Sequence, residues 1–190
     1  MLTDRPPVRK ALLSEFERSD QLGALELPPD GRLCSAATSI EEALVSGRIG
    51  PVRVVCAGFV RIAAGFYNVS VPEVRVLASR PLRSFESGWS SELFGDYDPR
   101  TKRIRVWMRT AVRKDVTSYG TFLSTLCHEF CHHLDYERFG FHDSCHTRGF
   151  YERTAVMYHH ARGTPRKPLI WVRLPGRRWR IDWVRTRLGG

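Results

Sequence analysis

The sequence predicts an α+β fold in one domain of ordinary size. The chain has 190 residues and a hydrophobic fraction of 42%, which is enough for a real core. Its apolar residues follow helical spacing first, strand spacing in the middle and helical spacing again afterwards. Helices, then strands, then helices are typical of α+β order and not of alternating βαβ units.

The first third of the chain is predicted to be helical. Residues 1–35 are predicted as a partly disordered lead-in that contains a weak helix over 11–25. A second helix is predicted to begin at Ser39, because Thr38 and Ser39 precede two glutamates in a capping-box pattern. A longer helix follows over 52–67, where apolar residues recur every three or four positions.

The middle of the chain changes to strand spacing. Strands are predicted over 74–77, 94–97 and 102–109, and the last two should form a hairpin within a small antiparallel sheet. In the last strand, apolar residues alternate with arginines and Trp107, so one face should be buried and the other basic. The apolar set is Ile104, Val106 and Met108.

Two helices and a C-terminal β-hairpin complete the predicted fold. The first helix covers 119–138 and ends at Gly140, and the second covers 147–161 and ends at Gly163. The hairpin pairs 169–173 with 178–183. The predicted segments are the lead-in 1–35, a main domain 36–165 and a basic tail or hairpin 166–190.

A metal-binding motif lies on the predicted helix 119–138. Residues 128–132 read His-Glu-Phe-Cys-His, which has the form HExxH. Positions i and i+4 share one helix face, so His128 and His132 can bind one zinc ion, Zn²⁺. Glu129 lies beside that face, where its carboxylate can take a proton from a zinc-bound water. The motif therefore predicts a zinc-dependent hydrolase with Glu129 as general base.

A catalytic zinc needs a third protein ligand, for which the sequence offers alternatives. His146 follows His132 by 14 residues and Glu152 follows it by 20, while His142 is a weaker option in the intervening loop. Asp135 is a candidate hydrogen-bond partner for an imidazole N–H, with a solvated helix position as the alternative.

The five cysteines bear on the cellular compartment and on the metal. Their number is odd and no CxxC pair occurs, so a reducing, cytoplasmic location is predicted. Cys127, Cys131 and Cys145 could form a competing structural thiolate site, although small core residues are the interpretation we favour. No run of 18 apolar residues is present, so no membrane partner is predicted.

Further patterns accompany the HExxH motif. His146 and Phe150 form an HxxxF pattern, and Gly95 and Tyr97 precede the basic strand 102–109. Over about residues 40–160 these patterns resemble the SprT-like zinc metalloprotease domain of the Spartan protease family. The resemblance implies a minimal zincin-like fold, a protein or peptide substrate and Glu129 as general base. The zinc ligands that it implies are His128, His132 and His146.

The chain departs from that family at two points. Thr147 stands where the family often has glycine, and the CxxC…CxxC zinc ribbon of many bacterial relatives is absent. The family's DNA–protein crosslink substrates are therefore not carried over to this chain.

The net charge of +10 is concentrated in two segments. Residues 100–114 carry seven basic residues and no acid, and residues 161–190 carry nine against Asp182. The second segment also holds three tryptophans, and arginine with tryptophan suits phosphate and base contacts in DNA or RNA. The alternative is a hairpin whose tryptophans cover the core. The candidate nucleic-acid contacts are Arg103, Arg105, Arg177, Arg178 and Arg180.

Two functions from different classes are consistent with these patterns. The first is a SprT-like metalloendopeptidase that binds its substrate along an edge strand and works near nucleic acid. The second is a basic nucleic-acid-binding protein with a structural zinc site and no peptidase activity. Three protein ligands would favour the first function and four would favour the second.

Overall fold

Helices and short strands alternate in blocks along the computed structural model, which describes residues 1–84 and 90–189. The described residues form six α-helices and seven strands, and the predicted α+β class is confirmed. The helices are α1 (Lys10–Gln21), α2 (Arg32–Val45), α3 (Ile49–Tyr67), α4 (Tyr119–Leu134), α5 (Arg148–Arg162) and α6 (Trp183–Leu188). The strands are β1 (Glu73–Ser79), β2 (Leu82–Ser84), β3 (Ser90–Glu92), β4 (Gly95–Asp98), β5 (Arg103–Arg109), β6 (Trp171–Leu174) and β7 (Arg178–Ile181).

The main sheet has the strand order β1-β5-β4. Strand β4 runs antiparallel to β5, as the predicted hairpin requires, with Tyr97 opposite Ile104. Strand β1 instead runs parallel to β5, with Val74 opposite Ile104. The predicted antiparallel sheet is therefore wrong, and the sheet is mixed. The alternating pattern of a strand fixes its faces but does not fix the direction of its neighbour.

Strand β5, which lies in the centre of the sheet, differs from the prediction on the face expected to be basic. Ile104, Val106 and Met108 are fully buried, as expected. Trp107 was expected among the arginines, but it is only 7% exposed. The Arg105 guanidinium lies 5.7 Å from the centroid of the Trp107 ring. The face of β5 that carries the arginines therefore also buries a large aromatic ring.

Helix α2 begins earlier than the capping-box pattern predicted. It starts at Arg32, and the Thr38 and Ser39 hydroxyls donate to the carbonyls of Cys34 and Ser35 within the helix. Its buried residues recur at spacings of four and three positions and face the core, which extends the helix through the expected cap. They are Leu33, Ala37, Ile40 and Leu44.

Helix α3 is a core helix. It is the one helix, among residues 1–84 and 90–189, that is long and apolar enough to cross a membrane by length and composition. One face of α3 is buried in the core. The buried residues of α3 are Val52, Cys56, Phe59, Val60, Ala63, Ala64 and Tyr67.

The two helices predicted around the motif are confirmed. Ser118 caps α4, which continues through a π-helical turn at Asp135–Phe139 and ends at Gly140 with φ 66°. Thr147 caps α5 by accepting a hydrogen bond from the Phe150 N–H, and Gly163 ends the helix. An apolar stripe anchors α4 in the core and leaves the histidine pair on the opposite side. The stripe is Leu123, Leu126, Phe130 and Leu134.

The two ends of the chain meet beside the motif. Strands β6 and β7 form the predicted C-terminal hairpin, and α6 follows it. Leu2 forms an antiparallel bridge with Arg180, and the Thr3 N–H donates to the Trp179 carbonyl at 2.8 Å. Residues 1–35 were expected to be partly disordered, but their first residues pair with the hairpin and α1 packs against α5. The division into three segments stays a prediction.

Candidate metal centre

Three histidines meet at one point beside α4. His128 and His132 lie one turn apart on α4, and His146 directly precedes the cap of α5. Their Nε2 atoms are 3.1 Å apart for His128 and His146, and 3.2 Å apart for the other two pairs. Nitrogen ligands at 2.0–2.1 Å from a tetrahedral metal lie about 3.3 Å from one another. The three imidazoles are therefore close enough to bind one metal ion.

The surroundings keep the imidazoles of His128 and His132 in the form that binds metals. Burial, together with the neighbouring His146, lowers the pKa of His128 to about 3. Burial and the two other histidines lower the pKa of His132 well below its usual value. Both rings are neutral at pH 7, so their lone pairs are available. The Phe150 ring contacts all three imidazoles, with centroid distances of 4.8, 4.4 and 5.3 Å.

A buried hydrogen-bond chain orients His132. Its Nδ1 lies 2.7 Å from Ser144 Oγ, which donates to Asp135 Oδ2 at 3.0 Å. Arg153 pairs with the other Asp135 oxygen at 2.8 Å, and both charged side chains are almost fully buried. Because the Ser144 hydroxyl donates its proton to Asp135, Ser144 Oγ accepts a hydrogen bond from the His132 Nδ1–H. The Nε2 lone pair of His132 then faces the other two histidines.

Asp135 is therefore linked to the candidate ligand His132 through Ser144. Its side chain is buried, so the alternative prediction of a solvated helix position is wrong. Burial raises the pKa of Asp135 to about 6, against the opposing effects of Arg153 and Ser144. Sequence reasoning missed Ser144 and Arg153. The one signal in the sequence for these residues was the position of Ser144, two residues before the candidate ligand His146.

His146 is oriented from a different part of the chain. Its backbone N–H donates to Asp4 Oδ2 at 2.8 Å, and its Nδ1 lies 3.3 Å from the same oxygen. The Asp4 N–H in turn donates to the His146 carbonyl at 2.9 Å. Sequence reasoning also missed Asp4, because no local pattern connects positions 142 residues apart.

Glu129 lies next to the histidines in a position that strand β4 encloses. The residue is only 5% exposed. A Cβ atom on Gly95 would lie 2.8 Å from Glu129 Oε1 and 2.6 Å from Thr125 Cγ2, so glycine is needed where β4 crosses α4. Burial, and to a lesser extent the charge of Asp96, raises the pKa of Glu129 to about 8. A cation bound by the histidines would lower this pKa.

A cleft of about 1190 Å³ opens over these residues. Strand β4 forms one wall, α5 and the hairpin form another, and the histidines and Glu129 lie at its base. The Phe94 carbonyl accepts from the Trp107 N–H, so Phe94 is hydrogen-bonded to its opposite residue. Hydrogen-bonded and non-hydrogen-bonded pairs alternate along an antiparallel ladder. The peptide N–H and C=O groups of Gly95 and Tyr97 therefore point away from β5, towards the other edge of β4.

The other candidate ligands lie outside the cluster. Glu152 accepts hydrogen bonds from Arg166 and from Trp171 Nε1, and His142 is exposed. Burial raises the pKa of the Cys127 and Cys131 thiols, which stay protonated. Within residues 1–84 and 90–189, the three histidines are the one group of at least three close metal-binding side chains. The thiolate alternative therefore does not form.

The candidate nucleic-acid arginines divide into two groups. Arg103 pairs with Glu73 at 2.7 Å, and Arg105 pairs with both oxygens of Asp96 at 2.7 and 2.5 Å.

The hairpin arginines are less committed to acidic partners. Arg178 donates to the Thr3 carbonyl, and Arg177 lies 3.5 Å from Glu17. Arg180 is exposed and has no carboxylate partner in the part of the chain that the structure describes. Unpaired positive charge therefore lies on the hairpin more than on β5.

No family model, curated protein or solved structure matches this chain. The chemistry of the metal centre is therefore inferred from the residues and distances within the chain.

Proposed function

We propose that the protein is a zinc-dependent metalloendopeptidase with a minimal, zincin-like domain of the SprT-like type. The convergence of His128, His132 and His146 beside the carboxylate of Glu129 carries this proposal. No fourth side chain joins this group among the described residues. Three imidazoles with an open fourth position suit a catalytic zinc better than a structural one.

The three imidazoles would hold the ion through Nε2, and Glu129 would stay outside the ligand set. When bound, zinc supplies Lewis acidity, which activates water and polarises a peptide carbonyl. An all-imidazole ligand set suits zinc, copper, iron and nickel, and the HExxH motif with its neighbouring carboxylate is what favours zinc.

Glu129 moves the proton in the proposed reaction. Its carboxylate accepts a proton from the attacking water and donates it to the leaving amine. The enclosure by α4 and β4 limits the directions in which the carboxylate can turn, which favours a fixed path for the proton.

The free edge of β4 is suited to an extended peptide. The peptide groups of Gly95 and Tyr97 that face this edge can pair with a substrate backbone by strand addition. The residues that line the cleft continue from β4 past the histidines to α5 and to Ile181 of the hairpin. This arrangement supports an endopeptidase acting on protein segments.

Substitution of Glu129 by Gln tests the proposal. Glu129→Gln keeps the shape of the side chain and removes its basicity, so cleavage of casein should fall by about 10²–10⁴-fold while zinc stays bound. Glu152→Gln is the matched control, because this residue bonds Arg166 and Trp171 away from the histidines. Cleavage that survives Glu129→Gln would contradict the proposed role, and so would loss of zinc.

A second candidate is a nucleic-acid-binding protein without peptidase activity. The exposed arginines of the hairpin favour contact with DNA or RNA. Arg180 has no carboxylate partner among the described residues, so it is better suited to this contact than the paired Arg103 and Arg105. A wild-type protein that retains zinc, binds oligonucleotides in a salt-dependent way and cleaves nothing would favour this second function.

A further inference from the structure

We propose that Asp4 is a positioning residue for the third ligand, and that the C-terminal hairpin holds Asp4 in place. The inference rests on the proposed metal centre. It makes the two ends of the chain part of one site.

The contact between Asp4 and His146 fixes the imidazole in both position and tautomer. One carboxylate oxygen accepts from the His146 backbone N–H at 2.8 Å and lies 3.3 Å from Nδ1. A hydrogen bond from Nδ1–H to this oxygen leaves the lone pair on Nε2, the atom that faces His128 and His132. Among the described residues, Asp4 is the one side chain that bonds to Nδ1 of His146.

His146 needs this support more than the other two histidines do. His128 and His132 lie within α4, whereas His146 lies in the loop that ends at the cap of α5. Two residues before it, Ser144 has a φ of 39°, so the chain bends sharply there. A carboxylate that bonds both the backbone and the ring of His146 restrains it where helical geometry does not.

The hairpin supplies the backbone partners of the segment that carries Asp4. The Thr3 N–H donates to the Trp179 carbonyl, and the Trp179 N–H donates to Thr3 Oγ1, both at 2.8 Å. Arg178 Nε donates to the Thr3 carbonyl at 2.9 Å, and the Ile181 N–H donates to the Met1 carbonyl at 3.2 Å. Residues 1–3 thus pair with β7 through an isolated antiparallel bridge and its flanking hydrogen bonds, and Thr3 is only 1% exposed.

Zinc affinity, measured by competition with a chromophoric chelator, tests the role of Asp4. Asp4→Ala should weaken zinc binding by about 10- to 100-fold, the effect typical of a lost carboxylate partner of a ligand histidine. Asp143→Ala is the matched control, because it removes the same charge from the cleft rim without touching a histidine. Equal zinc affinities for the two variants would overturn the proposal.

A second measurement uses the zinc-free protein. In wild type, nitrogen-resolved NMR of the imidazoles should show His146 as the Nδ1–H tautomer, and Asp4→Ala should abolish that preference while the His132 tautomer is retained. A merely structural role for Asp4 would alter both rings or neither, which would overturn the proposal.

The part played by the hairpin is tested on the same zinc-affinity scale. Arg178→Ala removes the bond to the Thr3 carbonyl and should weaken zinc binding roughly two- to tenfold, the effect of one hydrogen bond. Arg173→Ala removes an exposed arginine from the opposite strand and should leave the affinity unchanged. If Arg178→Ala and Arg173→Ala behave alike, the hairpin does not hold Asp4.

These outcomes separate the inference from the proposed function. A wild-type protein that binds zinc, loses affinity with Asp4→Ala and cleaves no protein would contradict the peptidase and support the inference. A wild-type protein without zinc affinity would overturn both.

Discussion

The backbone positions of His128 and His132 are set by one helix, whereas the position of His146 is set by contacts from separate parts of the chain. The distance between the first two follows from the α-helical turn. The place of His146 depends on Phe150 of α5 and on Asp4. The candidate metal site therefore has two halves. The local half is the pair His128 and His132, whose spacing the five-residue motif encodes, and the folded half is His146, whose position depends on contacts made when the chain folds.

Removal of a ligand from each half is the strongest way to test this comparison. His132→Ala and His146→Ala should each weaken zinc binding by on the order of 100-fold or more, since each removes one of three ligands. His146→Ala should retain more residual affinity, because the remaining pair is held by α4. Zinc titration with calorimetry measures both, and Glu152→Ala serves as the control that keeps full affinity. A greater residual affinity in His132→Ala would contradict the division into a local and a folded half.

Glycine-to-alanine substitutions test how tightly the elements beside each half of the site are packed. A Cβ atom on Gly149 of α5 would lie 2.1 Å from the Ser19 carbonyl oxygen and 2.7 Å from that of Leu22. The same change at Gly95 would meet side-chain atoms of Thr125 and Glu129, which adjust at a lower cost than backbone atoms. Gly149→Ala should therefore lower the free energy of unfolding by about 3 kcal/mol or more, and Gly95→Ala by about 1–2 kcal/mol.

Urea unfolding of the zinc-free proteins measures this difference. Gly149→Ala acts on the backbone contact between α1 and α5, which positions the loop of His146. A Gly149→Ala protein as stable as wild type would show that α1 does not pack this closely against α5.

Substitution of Ser144 should have the smallest effect of these changes, and it tests how His132 of the local half is oriented. Ser144→Ala removes the link between His132 and the buried Asp135–Arg153 pair, so zinc affinity should fall roughly tenfold. Ser124→Ala, on the cleft face of α4, provides a matched loss of a hydroxyl. Chelator competition compares the two variants, and equal affinities would mean that α4 alone orients His132.

The sequence predicted the parts of the fold that local signals control. Both helices of the site end where expected, because Ser118 and Thr147 supply caps and Gly140 and Gly163 adopt left-handed conformations. The histidine pair and the neighbouring Glu129 are likewise fixed by spacing along one helix.

The rest of the site depends on contacts between distant residues. Asp4 reaches His146 only after the ends of the chain pair, and Arg153 reaches Asp135 only after α5 packs beside α4. The parallel pairing of β1 with β5 is non-local in the same sense. Strand alternation also predicted exposure of Arg103 and Arg105, but not the carboxylates that neutralise them.

The π-helical turn at Asp135–Phe139 limits how the segment between the second and third histidines can change in length. It widens the last turn of the motif helix just before the chain reverses towards Ser144 and His146. The Phe141 N–H and the Ser144 hydroxyl both donate to Asp135, so one residue more or fewer between these positions would displace one of these contacts. Substitutions in this segment are therefore easier to accommodate than insertions or deletions, and relatives of this chain should keep its length even where they change its composition.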